Sequence, residues 1–192
     1  LHHLKILEKN KPYLNSKSVD NKVQQAIHKF YLKRKRGIPF QHIIGCGNFY
    51  GRDFFINEYT LIPRPETEVL IDIVKGKNFK KALDIGTGSG ILAITLSIEK
   101  IANEVLATDI SSFAIEVAEK NKIHFQTPNV SFKLHNILNE SFNEKYDLIL
   151  SNPPYVTLSE YSNLTKQIKE YEPKIALTDF KDGLTFYNRF AK

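Results

Sequence analysis

The stretch ALDIGTGSG, residues 82–90, joins a short apolar run to a bend with three glycines, and the apolar segment Ile91–Ile98 follows at once. A strand that turns on glycines into a helix is the opening unit of a parallel α/β sheet. The alternation then repeats. Residues 105–108 predict a second strand, 113–122 a second helix, 130–134 a third strand and 147–150 a fourth. The expected fold class is α/β, a Rossmann-like sheet with helices on both faces.

Glycines at such a turn let the backbone bend tightly and approach a ligand closely, and their spacing selects the ligand. Gly86-x-Gly88-x-Gly90 is not the G-x-G-x-x-G dinucleotide fingerprint, and no Gly-Lys-Ser/Thr follows to cradle a phosphate. The turn Gly86-Thr87-Gly88-Ser89-Gly90, preceded by Asp84, suits a ligand with an amino-acid tail whose ammonium Asp84 holds directly or through water. The second strand ends at Asp109, where a free carboxylate accepts bonds from both hydroxyls of a ribose. At the end of the third strand Asn136 can meet the edge of an adenine and Ile137 its face. An adenosine with an amino-acid tail is S-adenosyl-L-methionine. The competing structural reading makes the glycines a bare turn and Asp109 a helix cap.

The fourth strand runs into SNPPYV, residues 151–156. Each proline fixes its own φ and holds the preceding residue extended, so Pro153 and Pro154 set the direction of the Asn152 side chain and of the neighbouring carbonyls. The Asn152 amide oxygen and the Pro153 carbonyl together can accept both hydrogens of a planar –NH₂ group, and Tyr155 can cover its flat face. Such acceptors enrich a weakly nucleophilic nitrogen and aim it, by positioning and preorganised electrostatics. Asp147 reads as structural.

Upstream, residues 1–36 read as helical, with an apolar stripe Val19, Val23, Ala26, Ile27, Phe30 and caps at Ser18 or Asp20. Residues 38–62 read as a β-hairpin linker and 66–75 as a helix entered through Pro63 and Pro65. The 192 residues carry 27 basic and 21 acidic side chains, a mild excess centred on Lys33-Arg34-Lys35-Arg36 that reads equally as a solvated helix end or a contact surface. One cysteine, Cys46, excludes an internal disulfide and fits a reducing, cytoplasmic setting. Apolar runs are too short for a membrane span. The absence of Met and a final segment that reads as a helix cut in mid-course give the chain the look of a piece of a longer one.

Taken together, DIGTGSG (84–90), ATDI (107–110) and SNPPY (151–155) resemble the class I S-adenosylmethionine-dependent methyltransferases that act on planar –NH₂ groups. Asn-Pro-Pro-Tyr is shared with adenine-N6 DNA methyltransferases and alone leaves the substrate open. The segment LIPRPETE (61–68), with GIPFQHIIG (37–45), FYG (49–51), YEP (171–173) and DGL (182–184), resembles the release-factor glutamine methyltransferases, the PrmC/HemK family. The relative that modifies a ribosomal protein usually carries Ser at the Pro65 step.

The resemblance implies methyl transfer to the side-chain amide of the Gln in a Gly-Gly-Gln tripeptide of peptide chain release factors. It implies cofactor contacts from Gly86 to Gly90, Asp109 and Ile137, and substrate contacts from Asn152 to Tyr155. Arg64, Pro65 and Glu66 would border the pocket, unless Arg64 and Glu66 form a structural ion pair. Expected organisation is a helical substrate-recognition segment (1–37), the hairpin linker (38–65) and a C-terminally incomplete methyltransferase domain (66–192). A monomer with no stable nucleic-acid complex and no membrane is expected. Family members usually carry Asp at the position of Asn136 and often an aromatic at Ile137. The alternatives are methylation of a ribosomal-protein glutamine or of adenine in DNA, and a binding module with a vestigial cofactor pocket.

Overall fold

The computed structural model describes residues 20–191. Helix α1 (Asn21–Lys35) starts at Asp20, whose carboxylate caps the Lys22 N–H at 3.1 Å. Its cationic last turn, Lys33 to Lys35, complements the helix dipole and is solvent-exposed, as a solvated helix end would be. The predicted apolar stripe is not buried: none of the residues of α1 is, and Ile27 is 59% exposed, while Phe30 meets the Phe40 ring edge-on. Val19 and Ser18 lie outside the described residues.

A short helix α2 (Phe40–Ile44) occupies what was expected to open the hairpin, entered from Pro39 and closed by left-handed Gly45. Strands β1 (Cys46–Phe49) and β2 (Arg52–Phe55) then pair antiparallel. Tyr50 and Gly51 both have positive φ, as a two-residue hairpin turn of matching twist requires. Phe49 and Phe54 are fully buried in the same core cluster as Ile71 and Ala93, so the hairpin is packed on the domain rather than merely tethered to it.

Helix α3 (Pro65–Val74) has proline at its first position, where the missing N–H costs nothing. The main sheet comprises β3 (Phe79–Ile85), β4 (Ala102–Asp109), β5 (Val130–Leu134) and β6 (Leu148–Ser151), all parallel in the order β5-β4-β3-β6. Helices α4 (Ile91–Ile98) and α5 (Ser112–Phe125) make the crossovers. Ala82, Val105, Ala107, Val130 and Leu150 share one face and pack with Ile71 and Val74 of α3 and Leu92, Ala93 and Ile94 of α4. Period-two alternation puts Ile149 on the opposite face, where it is 56% exposed. Short helices α6 (Leu158–Asn163), α7 (Lys166–Tyr171), α8 (Lys174–Leu177) and α9 (Thr185–Phe190) complete the described chain. Asp147 precedes β6 and accepts the Lys80 and Lys81 N–H groups at 3.0 Å, a structural task.

Asn121 of α5 is fully buried and ties three parts together. Its Oδ1 accepts the Phe55 N–H (2.8 Å), and its Nδ2 donates to the Phe55 and Ser89 carbonyls (2.9 and 2.8 Å). The hairpin is thereby fastened to the glycine turn. Asn121→Leu keeps the volume but leaves these backbone groups without their partner, each a desolvation penalty. The full-length variant should lose about 2–4 kcal/mol in urea denaturation; a loss below about 0.5 kcal/mol would show that the tie is dispensable.

Candidate functional site

Register places the site. Ile85 of β3 is level with Thr108 of β4 and with Ser151 of β6, and Asp109 is level with Leu134 of β5. The residues that follow, Gly86, His135 and Asn152, therefore emerge together with Asp109 along one carboxyl edge. Strand order reverses at β3, the place where open α/β sheets leave a crevice for a ligand.

The glycine turn is built on that edge. The Gly86 and Thr87 N–H groups both donate to the Thr108 carbonyl at 2.8 and 2.9 Å. Gly86 and Gly88 have φ of +74° and +56°, and a Cβ on either would meet no neighbouring atom, so these positions offer bare backbone to the crevice. Gly90 serves packing instead: a Cβ there would press on Ile94, Phe132 and Ala118 at 3.1–3.2 Å. The turn continues into the crevice as a cavity of about 250 Å³ lined by Gly86, Thr87, Gly88, Ser89, Asp109, Asn136, Ile137, Asn152, Pro153 and Pro154, with Tyr59, Ile62, Ile110 and His135 among the others.

Asp109 accepts the Gly88 N–H on one oxygen (2.8 Å) and the Ser111 N–H on the other (2.9 Å). Desolvation raises its carboxyl above the usual range, while backbone hydrogen bonds from Ser111, Gly88 and Ile110 oppose the shift. The carboxylate keeps acceptor capacity for a hydroxyl. Asn136 lines the cavity, but its Oδ1 already accepts the Leu138 N–H at 3.0 Å, so its Nδ2 hydrogens are what it can offer an adenine edge. Ile137 presents its side to the cavity while its carbonyl accepts from Arg189 Nε (2.8 Å).

Besides Gly90, two of the expected assignments change. Asp84 is 0% exposed and is not among the cavity-lining residues: its parity puts it on the helix-facing side of β3 with Ala82, level with Ala107 and Leu150. One oxygen accepts the Thr87 hydroxyl at 2.6 Å, and the Ala93 backbone N–H also favours the carboxylate. Its carboxylate thus acts from beneath the turn and not by direct contact. Pro65 is exposed and lines neither cavity; it starts α3. Nor does Arg64 pair with Glu66. Its guanidinium reaches both oxygens of Glu172 (2.7 and 2.8 Å), an acid 2% exposed that also accepts the Ile62 N–H at 3.3 Å.

A second cavity of about 270 Å³ adjoins the first, lined by Glu66, Leu70, Tyr155, Val156 and Tyr187. Arg64, Thr67, Asn152 and Pro153 line both. Tyr155 belongs to the second alone and is 57% exposed. The backbone beyond it is fixed: Val156 donates to the Leu177 carbonyl and Leu158 to that of Lys181, and Gly183 packs so closely on the Tyr155 carbonyl that a Cβ would collide with it. Sequence reasoning missed Thr67, Glu172 and Gly183 as parts of this arrangement, although each stands inside a quoted motif. It also missed His135, whose buried ring stacks on Phe142 at 4.3 Å.

The residues present fit S-adenosyl-L-methionine. Bare glycine backbone leaves room for the amino-acid chain. Asp109 keeps acceptor capacity for a ribose, and the apolar wall at Ile110 and Ile137 suits a flat base. Among the described residues no cluster of His, Cys, Asp or Glu could hold a metal, and no helix is long and apolar enough to cross a membrane.

Burial, against the Thr87 hydrogen bond, pushes the Asp84 carboxyl from its ordinary 3.8 up to about 7. Between pH 4 and 7 the unfolded chain ionises here and the folded one does not, so stability falls as pH rises through that window and levels off above it. Asp84→Asn keeps an acceptor for Thr87 and removes the titration. Relative to wild type, its unfolding free energy should gain on the order of 3–4 kcal/mol between pH 4 and pH 7.5, measured by chemical denaturation of the cofactor-free protein. Parallel pH profiles would refute the assignment.

The methyltransferase small domain family matches residues 65–171. The release factor glutamine methyltransferase of Fusobacterium nucleatum is 38% identical over 197 residues, covering 98% of this chain and 55% of that protein. Those of Bacillus cereus and Bacillus subtilis are each 41% identical, over 87% and 81% of this chain and 62% and 57% of their own lengths. This chain therefore spans a little over half of the curated relatives it matches. Since the family match takes in more than half of the residues, from the first turn of α3 past the Asn152–Tyr155 segment, the chain belongs to the methyltransferase small domain family.

Proposed function

We propose that the protein containing this chain transfers a methyl group from S-adenosyl-L-methionine to the side-chain amide nitrogen of the glutamine in the Gly-Gly-Gln motif of peptide chain release factors. The observation that carries this reading is that Asn152 and Pro153 line both cavities. A group held by them in the second cavity adjoins the first. The names of the relatives supply the substrate class.

Gly86, Gly88, Asp109, Asn136 and Ile137 would hold the cofactor. When bound, it supplies an electrophilic sulfonium methyl group. The chain's own task is to prepare the nitrogen. The Asn152 Oδ1 and the Pro153 carbonyl accept the two N–H bonds of the substrate amide, which fixes its plane and enriches the nitrogen. Tyr155 walls the second cavity. A nitrogen that has gained a methyl is acidic enough to give its proton to water, so acceptors in fixed positions suffice and no strong base is required. The Arg64–Glu172 pair holds the mouth of the second cavity rather than reacting. The enzyme acts as a cytoplasmic monomer, and the exposed cations of α1 face a protein partner transiently rather than a stably bound nucleic acid.

Mass spectrometry of a bacterial release factor, incubated with the full-length protein and S-adenosyl-L-methionine, should show one added methyl on the Gly-Gly-Gln glutamine. Asn152→Ala should lower the rate at least about 100-fold through lost positioning. Cofactor binding with no methylated release factor would overturn the reading and direct the search to ribosomal protein or nucleic acid.

A further inference from the structure

We propose that Thr67 is a positioning residue that sets which end of the Asn152 amide faces the reacting group; this rests on the function proposed above. Asn152 carries an acceptor and a two-hydrogen donor on one carbon, and the two ends are close to equal in size. The prolines after it fix the backbone but not the half-turn of the amide about its last torsion. With the oxygen towards the crevice it accepts a substrate N–H. Turned over, it presents two donors to an –NH₂ group and repels it. A site that depends on the oxygen therefore needs something to hold the nitrogen.

Thr67 is placed to do this. Its hydroxyl accepts from the Asn152 Nδ2 at 3.0 Å, across 85 residues of sequence. The side chain is buried, at 5% exposure, and lines both cavities at their junction. It stands in the first turn of α3, and its own N–H is taken by the Arg64 carbonyl at 3.0 Å. Arg64 in turn is clamped by buried Glu172. The hydroxyl is thus delivered on a helix start anchored at the residue before it. Because the Thr67 hydroxyl accepts from the nitrogen here rather than donating to the oxygen, the Oδ1 is left as the free acceptor end. In this role Thr67 acts through Asn152.

The test compares wild type, Thr67→Val and Thr67→Ser in the full-length protein. Valine keeps the shape and removes the hydroxyl, while serine keeps the hydroxyl. Thr67→Val should lower kcat for release-factor methylation about 10–100-fold, with cofactor Kd, measured by calorimetry, and Tm close to wild type. Thr67→Ser should recover most of the rate. In ¹⁵N spectra of wild type, one Asn152 side-chain NH₂ proton, assigned by its loss in Asn152→Ala, should be protected from exchange, and Thr67→Val should remove that protection. Unchanged kcat in Thr67→Val would overturn the proposal, and so would an unprotected Asn152 amide in wild type. Should wild type bind cofactor but leave release factor unmodified, the functional reading fails, and the amide spectrum still decides the role of Thr67.

Discussion

The site depends on one constraint, the register that holds Ile85 level with Thr108 on one side and Ser151 on the other. The residues it gathers come from 86, 109, 135 and 152, and no local contact could assemble them. A one-residue slip of β6 would exchange the faces of its side chains and carry Asn152 about 3.3 Å along the edge. The edge is pinned by bonds beyond the ladder: Gly86 and Thr87 on the Thr108 carbonyl, Ser151 Oγ on the Ile85 carbonyl at 2.8 Å, and the His135 N–H on the Asp109 carbonyl at 2.9 Å. These join neighbouring strand ends pairwise, so the turn, the acid and the asparagine are held as one unit.

Two acids at that edge are driven apart by their surroundings. Asp84 sits beneath the turn with one oxygen on Thr87, and burial dominates its titration. Asp109 sits at the rim, where backbone N–H bonds from Gly88, Ser111 and Ile110 oppose the desolvation that raises its carboxyl. The rim acid stands where hydroxyls of a ligand can reach it. The hidden one braces the turn from beneath through Thr87 without standing in the cavity itself.

Much of this was legible because the elements are short and sharply bounded. Helix 91–98 and strand 130–134 are found at the expected limits, since glycines and polar residues punctuate their apolar runs. Asp109 and the Asn152 segment were readable as strand ends, and the parallel alternation put them on one edge. Helix α2 was misread because five residues are too few to show a period, and Ile43-Ile44 looks like a strand. The apolar stripe of α1 was real as a pattern, but a pattern states only that a face is available, not what covers it. Asp84 was assigned to the ligand because it adjoins the glycines. Parity along β3, visible only once Ala82 and Leu150 are seen in the core, turns it to the other side. The partner of Arg64 lies 108 residues away, a separation that a single sequence does not encode.

The segment Arg64-Pro65-Glu66-Thr67-Glu68 shows how a run that looked like a pocket rim works as a junction. Arg64 reaches Glu172, Thr67 reaches Asn152, and the Glu68 carboxylate accepts the Tyr50 N–H at 2.7 Å. The directions differ because Arg64 is still extended backbone ahead of the helix, while Thr67 and Glu68 within it are rotated by about 100° from each other. Pro65 contributes by starting that helix at a fixed point, and not by touching a ligand. Helix α3 thereby links the hairpin turn, the Asn152 segment and the Tyr171–Pro173 segment at one place. Moving any one of the three would shift the junction of the two cavities, where the donor and acceptor groups must meet. That geometry accounts for a stretch so dense in charge and proline beside a site whose chemistry, as proposed, uses no charged catalytic group.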